Sequence, residues 1–485
     1  MIENDADIGS IKAEVLYEVA KLAFEDKLKE MEEEIPFSII PGPKANFRCC
    51  VYREREIIRE RVRLAQGKTP CGNEDDKNIV QVIRSACEGC PITRFVVTNN
   101  CQKCMSRKCQ AACSFGAITI DGDKARIDPD KCRECGKCAQ ACPYNAIADI
   151  MRPCKRSCPV DAITMDDNSI VKINKEKCIS CGACISDCPF GAISDRSFLT
   201  DVINLLKAGV PVYAMTAPAV EGQFGPDVTI SDLSEMICEM GFAGNFEVAL
   251  GGDLVAASEA EEWSEAYREG KKMTTSCCPA FVNMVKKHFP SVMDSISTTV
   301  SPMAATSRLI KAMNPDAVTV FIGPCIAKKS EVIETVADNT ADYALTFEEL
   351  HAMFRAKQIS IAPRGTDMQQ GSIFGKRFAA SGGVTGAVVE ALKEAGENAE
   401  INVKQCNGAV ECKKALTLLK AGRLPEDFIE GMACEGGCVS GPGNIRGAVK
   451  AKKDREALLS KADGRGIREN MQEYEKYRFS MHRKK

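Results

Sequence analysis

The sequence predicts an α/β domain preceded by a cysteine-rich α+β region and a helical N-terminal segment. Three observations lead there. Between residues 196 and 450, strand-like runs such as "VPVYAMTA", "NFEVAL" and "AVTVFIG" alternate with amphipathic helical stretches, the pattern of an α/β domain. Residues 86–195 carry sixteen of the chain's 27 cysteines. Residues 1–85 are rich in Glu, Lys, Arg and aliphatics, and "SIKAEVLYEVAKLAFEDKLKEMEEEI" has a helical apolar period with an acidic end. The remaining stretch, 451–485, holds eleven Lys/Arg and six Asp/Glu and reads as a solvated, partly helical tail packed on the main body.

Composition narrows the class. A chain of 485 residues has room for about three domains. Its 45% apolar and 27% charged residues are those of a soluble globular protein. A net charge of −3 gives no bias toward nucleic acid. No apolar stretch reaches the roughly 18 residues of a membrane span. The opening "MIENDADIGSIKAEV" lacks the basic and apolar parts of a signal peptide, so a cytoplasmic protein is expected. In that setting the cysteines read as metal ligands rather than disulfides. The only histidines are His288, His351 and His482, too few for a His-rich metal site, and zinc-hydrolase or Ser-His-Asp chemistry is disfavoured.

The cysteine spacing is specific. "CRECGKCAQACP" (Cys132, Cys135, Cys138, Cys142) and "CISCGACISDCP" (Cys178, Cys181, Cys184, Cys188) both fit C-x2-C-x2-C-x3-C-P, the run of bacterial ferredoxins. Three thiolates of such a run hold one 4Fe–4S cube and the fourth reaches the paired cube. Soft, charged thiolates suit iron, and two matches leave zinc or disulfides as the weaker alternative. "CQKCMSRKCQAACS" repeats the motif with two extra residues before its third cysteine. Crossover then groups Cys101, Cys104 and Cys109 with Cys142, and Cys132, Cys135 and Cys138 with Cys113. "CKRSCP" supplies only third and fourth positions, Cys154 and Cys158; Ala148 and Met151 stand at the first two. Cys158 completes the set of Cys178, Cys181 and Cys184. Upstream "CEGC" offers Cys87 and Cys90 to complete a fourth cube with Cys154 and Cys188; the alternative is that Cys87 and Cys90 are structural or bind something separate. Several cubes in one region form an electron wire, and a wire needs a catalytic end.

Three further motifs lack ferredoxin spacing: "TTSCCPAF" (274–281), "IGPCIAKKSEV" (322–332) and "EGMACEGGCVSGPG" (430–443). Together they resemble the signatures of the FeFe-hydrogenases, TSCCP-x-W, MPC-x-x-K-x-x-E and M-x-C-x-x-x-C. The resemblance spans about residues 200–450. It implies a two-lobed hydrogenase-like fold and a six-iron active cluster. A 4Fe–4S cube would be held by Cys278, Cys325, Cys434 and Cys438. Cys438 would also bridge to a two-iron unit carrying carbonyl, cyanide and dithiolate ligands, in a pocket that includes Pro218, Ala219 and Met432. Lys328 would donate to a cyanide, with Glu331 as its partner three residues on, while Lys329 reads as an ordinary surface lysine. Cys277 matches the family's terminal proton relay, Glu259 and Glu262 its relay glutamates, and Ser297 its relay serine. The implied reaction is reversible reduction of protons to dihydrogen in an anaerobic setting. Ferredoxin or a similar carrier would be the electron partner, and hydrogenase maturation proteins would supply the two-iron unit.

Departures place the chain with the divergent group B branch. Gly323 replaces the methionine before Pro-Cys, which removes a side chain that would flank the two-iron unit and would alter its tuning, gas access or oxygen sensitivity. Phe281 replaces the tryptophan, Ala219 stands where many members have serine, and "SGPGN" replaces "GGGQP". Cys406, Cys412 and Cys238 read as buried small hydrophobes; Cys49, Cys50 and Cys71 have no assigned role. The competing reading is a non-catalytic relative used in iron–sulfur assembly or redox sensing. No convincing dinucleotide fingerprint supports another reductase, since "GGVTG" and "GGD" alone are weak.

Overall fold

The computed structural model describes residues 8–70, 72, 76–87, 90, 93–334, 340–365, 369–398 and 400–483; Cys71 lies outside them. Two parallel sheets organise the large domain. The first orders its strands Gly244–Glu247, Val212–Thr216, Val318–Ile322 and Tyr343–Leu345. The second orders Met273–Thr274, Phe428–Met432 and Val403–Asn407. Residues of the central strands, such as Val212, Ala214, Val320, Ile322 and Phe428, are fully buried, as expected of parallel strands covered on both faces by helices. The helix Val248–Arg268 leaves the first sheet and packs against Pro302–Met313, Gly383–Ala395 and Ile467–Met471 around the second.

The cysteine-rich region contains four two-stranded antiparallel pairs, among them Phe95–Val97 with Ile147–Asp149 and Val80–Val82 with Ile193–Asp195. A fourfold repeat governs its turns. In "CSFGA", "CPYNA", "CPVDA" and "CPFGA" the alanine N–H donates to the sulfur four residues earlier: Ala117 to Cys113 (3.3 Å), Ala146 to Cys142 (3.4 Å), Ala162 to Cys158 (3.2 Å) and Ala192 to Cys188 (3.3 Å). Before each alanine stands a left-handed residue, Gly116, Asn145, Asp161 or Gly191, with φ between 49° and 60°. Glycine, Asn and Asp tolerate that conformation best. The repeat assigns the truncated run at Cys154 and Cys158 to the same turn type as the complete ones.

The N-terminal segment is helical over Ile8–Phe24 and Val51–Ala65, with short turns of helix between. Its Val15, Val19 and Ala20 share one core with the first sheet. The tail is partly helical and packs on the main body as expected, but it is less solvated. The helix Ala448–Leu459 buries Ala451, Arg455, Leu458 and Leu459, and residues 474–481 lay Tyr474, Tyr477, Phe479 and Met481 on the second core. Among the described residues no helix is long and apolar enough to cross a membrane.

Lys329 overturns its sequence reading. It is a fully buried side chain whose ammonium pairs with Asp195 (2.7 Å) and Glu349 (2.7 Å). Lys12 of the N-terminal helix meets the same Asp195 (3.1 Å) and Glu348 (2.6 Å). Burial alone would raise the Asp195 carboxyl, but the two ammonium groups outweigh it and hold it far below the usual carboxylate range. An amphipathic helix can place two adjacent lysines about 100° apart, one toward each neighbour. Cys238 also departs from expectation: it lies exposed on the helix Ile230–Glu239, one position beyond the buried Met236 and Ile237. Cys406 and Cys412 are fully buried in an apolar cluster with Met284 and Leu416.

Lys329→Met leaves buried carboxylates short of a partner. It should lower stability by about 3–5 kcal/mol, the usual cost of breaking a buried pair. The deficit, read from the urea midpoint, should shrink as pH falls and protonation removes the stranded charge.

Candidate functional site

Open parallel sheets present ligands beyond the carboxyl ends of their strands. Here both sheets do so toward one cavity. From the first sheet, Thr216 leads to Ala217, Pro218 and Ala219, and Ile322 leads to Pro324 and Cys325. From the second, Thr274 leads to Cys277 and Cys278, and Met432 leads to Ala433 and Cys434, with Cys438 opening a short 3-10 turn. All of these line the cavity, as does Lys328. Apart from Lys328 and the sulfurs, the wall is apolar.

The adjacent cysteines both precede a helix. Cys278 is the residue before the helix Pro279–His288, with extended backbone, and Pro279 takes the first helical position. Burial pushes the Cys325 thiol up to about 11 and the Cys438 thiol to about 12, and raises Cys434 well above its ordinary value; charge on the neighbouring sulfurs adds to each shift. Four thiols gathered in an apolar wall cannot ionise together unaided, so the set fits a cationic iron–sulfur group that takes up thiolate charge.

Lys328 is nearly buried and donates to Glu331 (2.6 Å), which also accepts from Ser301 (2.7 Å). Its ammonium is thereby fixed at the cavity wall. Gly323 stands in a crowded place. A methyl group there would lie 2.6 Å from the Phe321 ring and 2.8 Å from the Ala217 methyl. The ring of Phe321 fills that side of the cavity instead. Phe281 is likewise fully packed, its ring lying where a side chain on Gly431 would be.

Behind Cys277 lies a buried polar path. Burial pushes the Glu259 carboxyl up to about 7, against donation from the Ser276 N–H (3.1 Å) and hydroxyl (3.2 Å) to Oε1. Its Oε2 has no hydrogen-bond partner, although the Ser297 hydroxyl lies close enough to favour the charged form. Ser297 donates to Glu262 Oε2 (2.7 Å), whose carboxylate also accepts from the Thr298 N–H and hydroxyl. Burial raises the Cys277 thiol well above its ordinary value, and the Glu259 charge adds to this. Ser276 escaped sequence reasoning, although it sits inside the first motif.

The cysteine-rich region gathers into four neighbourhoods. Cys109 lies near Cys104 and Cys142, and Cys138 near Cys132 and Cys113. Cys184 lies near Cys181, Cys178 and Cys158, and Cys154 near Cys188, Cys90 and Cys87. Cys181 also lines the main cavity, so this end of the region abuts it. Around the Cys87 neighbourhood stand three guanidinium groups, Arg48, Arg61 and Arg152, which the sequence did not single out. Cys49 and Cys50 are exposed, and a hydrogen bond from Arg53 lowers the Cys49 thiol.

Comparison with known proteins settles the family. The model for the C-terminal domain of the iron-only hydrogenase large subunit matches residues 210–442. The periplasmic [Fe] hydrogenase large subunit of Nitratidesulfovibrio vulgaris is 31% identical over 382 residues, 67% of this chain and 87% of that protein. The chain belongs to the iron-only hydrogenase family. Iron hydrogenase 1 of Clostridium pasteurianum is 29% identical, over 70% of this chain and 68% of its own length. A probable cytosolic Fe-S cluster assembly factor of Brugia malayi is 23% identical over 47% of this chain and 60% of its own. Upstream, a 4Fe-4S dicluster model matches residues 100–146 and an Fe-S cluster-binding domain model matches 148–199. The FeFe-hydrogenase fold and the ferredoxin-type domains are therefore those expected from the motifs.

Because Glu259 gains its proton preference only on folding, native protein binds the extra proton between about pH 4.5 and 7, and stability falls as pH rises through that window. Glu259→Gln should abolish this, gaining roughly 3 kcal/mol relative to the parent between pH 4.5 and 8. Paired urea titrations at the two pH values check it.

Proposed function

We propose that the protein is a working FeFe-hydrogenase that interconverts protons and dihydrogen, drawing electrons through 4Fe–4S clusters. The reading rests on one observation. The Cys277 thiol lines the cavity beside Cys278 and has the buried Glu259 carboxyl behind it. A scaffold that only carried clusters would have no use for a titratable chain leading from the cavity wall to Glu262.

In this reading Cys278, Cys325, Cys434 and Cys438 hold the cube of the active cluster. When bound, that group supplies the metal centre at which two protons and two electrons combine. Lys328, oriented by Glu331, donates to an anionic ligand of the group, and Pro218, Ala219 and Met432 with Phe321 exclude water. Cys277 holds and passes a proton at Sγ. Glu259 receives protons from Ser297 and Glu262 and suits that exchange because its carboxyl titrates near neutral pH. The sets Cys101/Cys104/Cys109/Cys142, Cys132/Cys135/Cys138/Cys113, Cys87/Cys90/Cys154/Cys188 and Cys158/Cys178/Cys181/Cys184 would each hold a 4Fe–4S cube, and such cubes would supply one-electron transfer. We propose a cytoplasmic setting, ferredoxin or a similar carrier as external partner, and maturation proteins as donors of the two-iron unit. Similarity to the Brugia malayi assembly factor favours a second reading, a non-catalytic cluster protein.

Anaerobic maturation separates the two: carbonyl and cyanide infrared bands with hydrogen turnover support the enzyme, and their absence supports the assembly reading. Cys277→Ala should keep the bands and cut turnover by about 10²–10⁴-fold. Reconstituted protein should hold about 20 irons in five cubes, and Cys154→Ala should lose about four; about 16 in the parent would sink the fourth wire cluster.

A further inference from the structure

The proposed proton path is closed at its inner end and needs a contact with water at its outer end. Glu259 and Ser297 are buried, and the Glu262 side chain keeps only 17% exposure. Both Glu262 oxygens are occupied by donors from Ser297 and Thr298. Over this mouth passes the segment 480–483. Val300 N–H donates to Met481 O (2.8 Å), Arg483 N–H donates to Thr298 O (2.9 Å), and Thr299 bridges to His482 in antiparallel fashion. Arg308 clamps the same segment through Ser480 O (2.6 Å) and His482 O (2.9 Å). The strap therefore holds its position through main-chain bonds, and the His482 ring is left free for another task.

That ring meets the path directly. Its Nδ1 lies 3.3 Å from Glu262 Oε1 and 2.9 Å from the Thr298 hydroxyl, while 54% of the side chain faces solvent. Glu265, Glu269, Asp294, Lys271, Lys272 and Arg483 share the open recess around it. An imidazole carries two ring nitrogens that can act as donor and acceptor, so one can face solvent while the other faces Glu262.

We infer that His482 is the proton-entry residue of this path: it takes a proton from bulk buffer at one ring nitrogen and passes one to the Glu262 carboxylate, regaining its original state at the next exchange with solvent. Each proton delivered inward is balanced by one taken from buffer. His482 touches neither the cavity nor its cysteines, so it serves the reaction through Glu262. The inference rests on the relay reading above, and the test separates the two.

The test follows protonation of Glu259 in the full chain by pH-jump infrared spectroscopy, with the carboxyl band assigned by its loss in Glu259→Gln. This readout does not depend on hydrogen turnover. His482→Gln should slow appearance of the band by about 10²-fold, the low end of what a positioned proton-transfer group contributes. Added imidazole should restore the rate in His482→Gln and have no such effect in Glu262→Gln. An unchanged rate in His482→Gln overturns the inference. So does a slowing that imidazole does not relieve, because a small base cannot mend a displaced strap. If Ser297→Ala and Glu262→Gln also leave the rate unchanged, the relay itself fails; if they slow it while His482→Gln does not, only the entry role fails.

Discussion

A buried ion network holds the three parts of this chain in one arrangement. Asp195 closes the cysteine-rich region, Lys12 belongs to the N-terminal helix, and Lys329 and Glu349 belong to the first lobe of the large domain. Buried charges tolerate little displacement, because each loses more by solvent-free separation than an apolar pair would. The network therefore fixes the register between the region that gathers thiols and the cavity that Cys181 and Cys325 share. In the proposed reading, transfer between metal groups would depend on that spacing, so a contact remote from the cavity would set a condition for it.

The cavity is made by two sheets rather than one. Each contributes only a few residues past its strand ends, and no single motif forms the site. The neighbouring lysines of "CIAKKSEV" show the economy of the arrangement. One helix turn sends Lys328 to the cavity wall and Lys329 to the domain junction, each with its own carboxylates. The absence of a side chain at Gly323 is matched by the Phe321 ring, so the cavity keeps its size on that side by a different route.

Charge is handled differently at the two ends of the site. Around the thiols the wall is apolar and every resolved shift is toward the neutral form. On the proton side, buried hydroxyls and one near-neutral carboxyl form a path with unfilled hydrogen-bonding capacity at Glu259 Oε2. Around the Cys87 neighbourhood, guanidinium groups from the N-terminal segment and the cysteine-rich region supply positive charge. That gives the N-terminal segment a physical part in the site beyond packing.

The sequence by itself determined the ferredoxin-type runs, the three cavity motifs, and the alternation that makes the α/β domain. These are short-range properties: covalent spacing fixes which thiols can converge, and periodicity fixes which faces are buried. It also indicated the Lys328–Glu331 pair, since three residues is one helical turn. Only the tertiary structure decided what lies opposite a given side chain. Lys329 was misread because a lysine pattern does not reveal distant carboxylates at Asp195 and Glu349. Cys238 was misread because the helix's buried stripe ends one residue before it. The surroundings of Gly323 had no local mark either, since the Phe321 ring and the Ala217 methyl crowd it. His482 had no local signal, because its significance comes from a strap that returns to Glu262 from 220 residues away. Contacts set by chain folding rather than chain spacing carry no mark in one sequence, and here they are the ones that join wire, cavity and solvent.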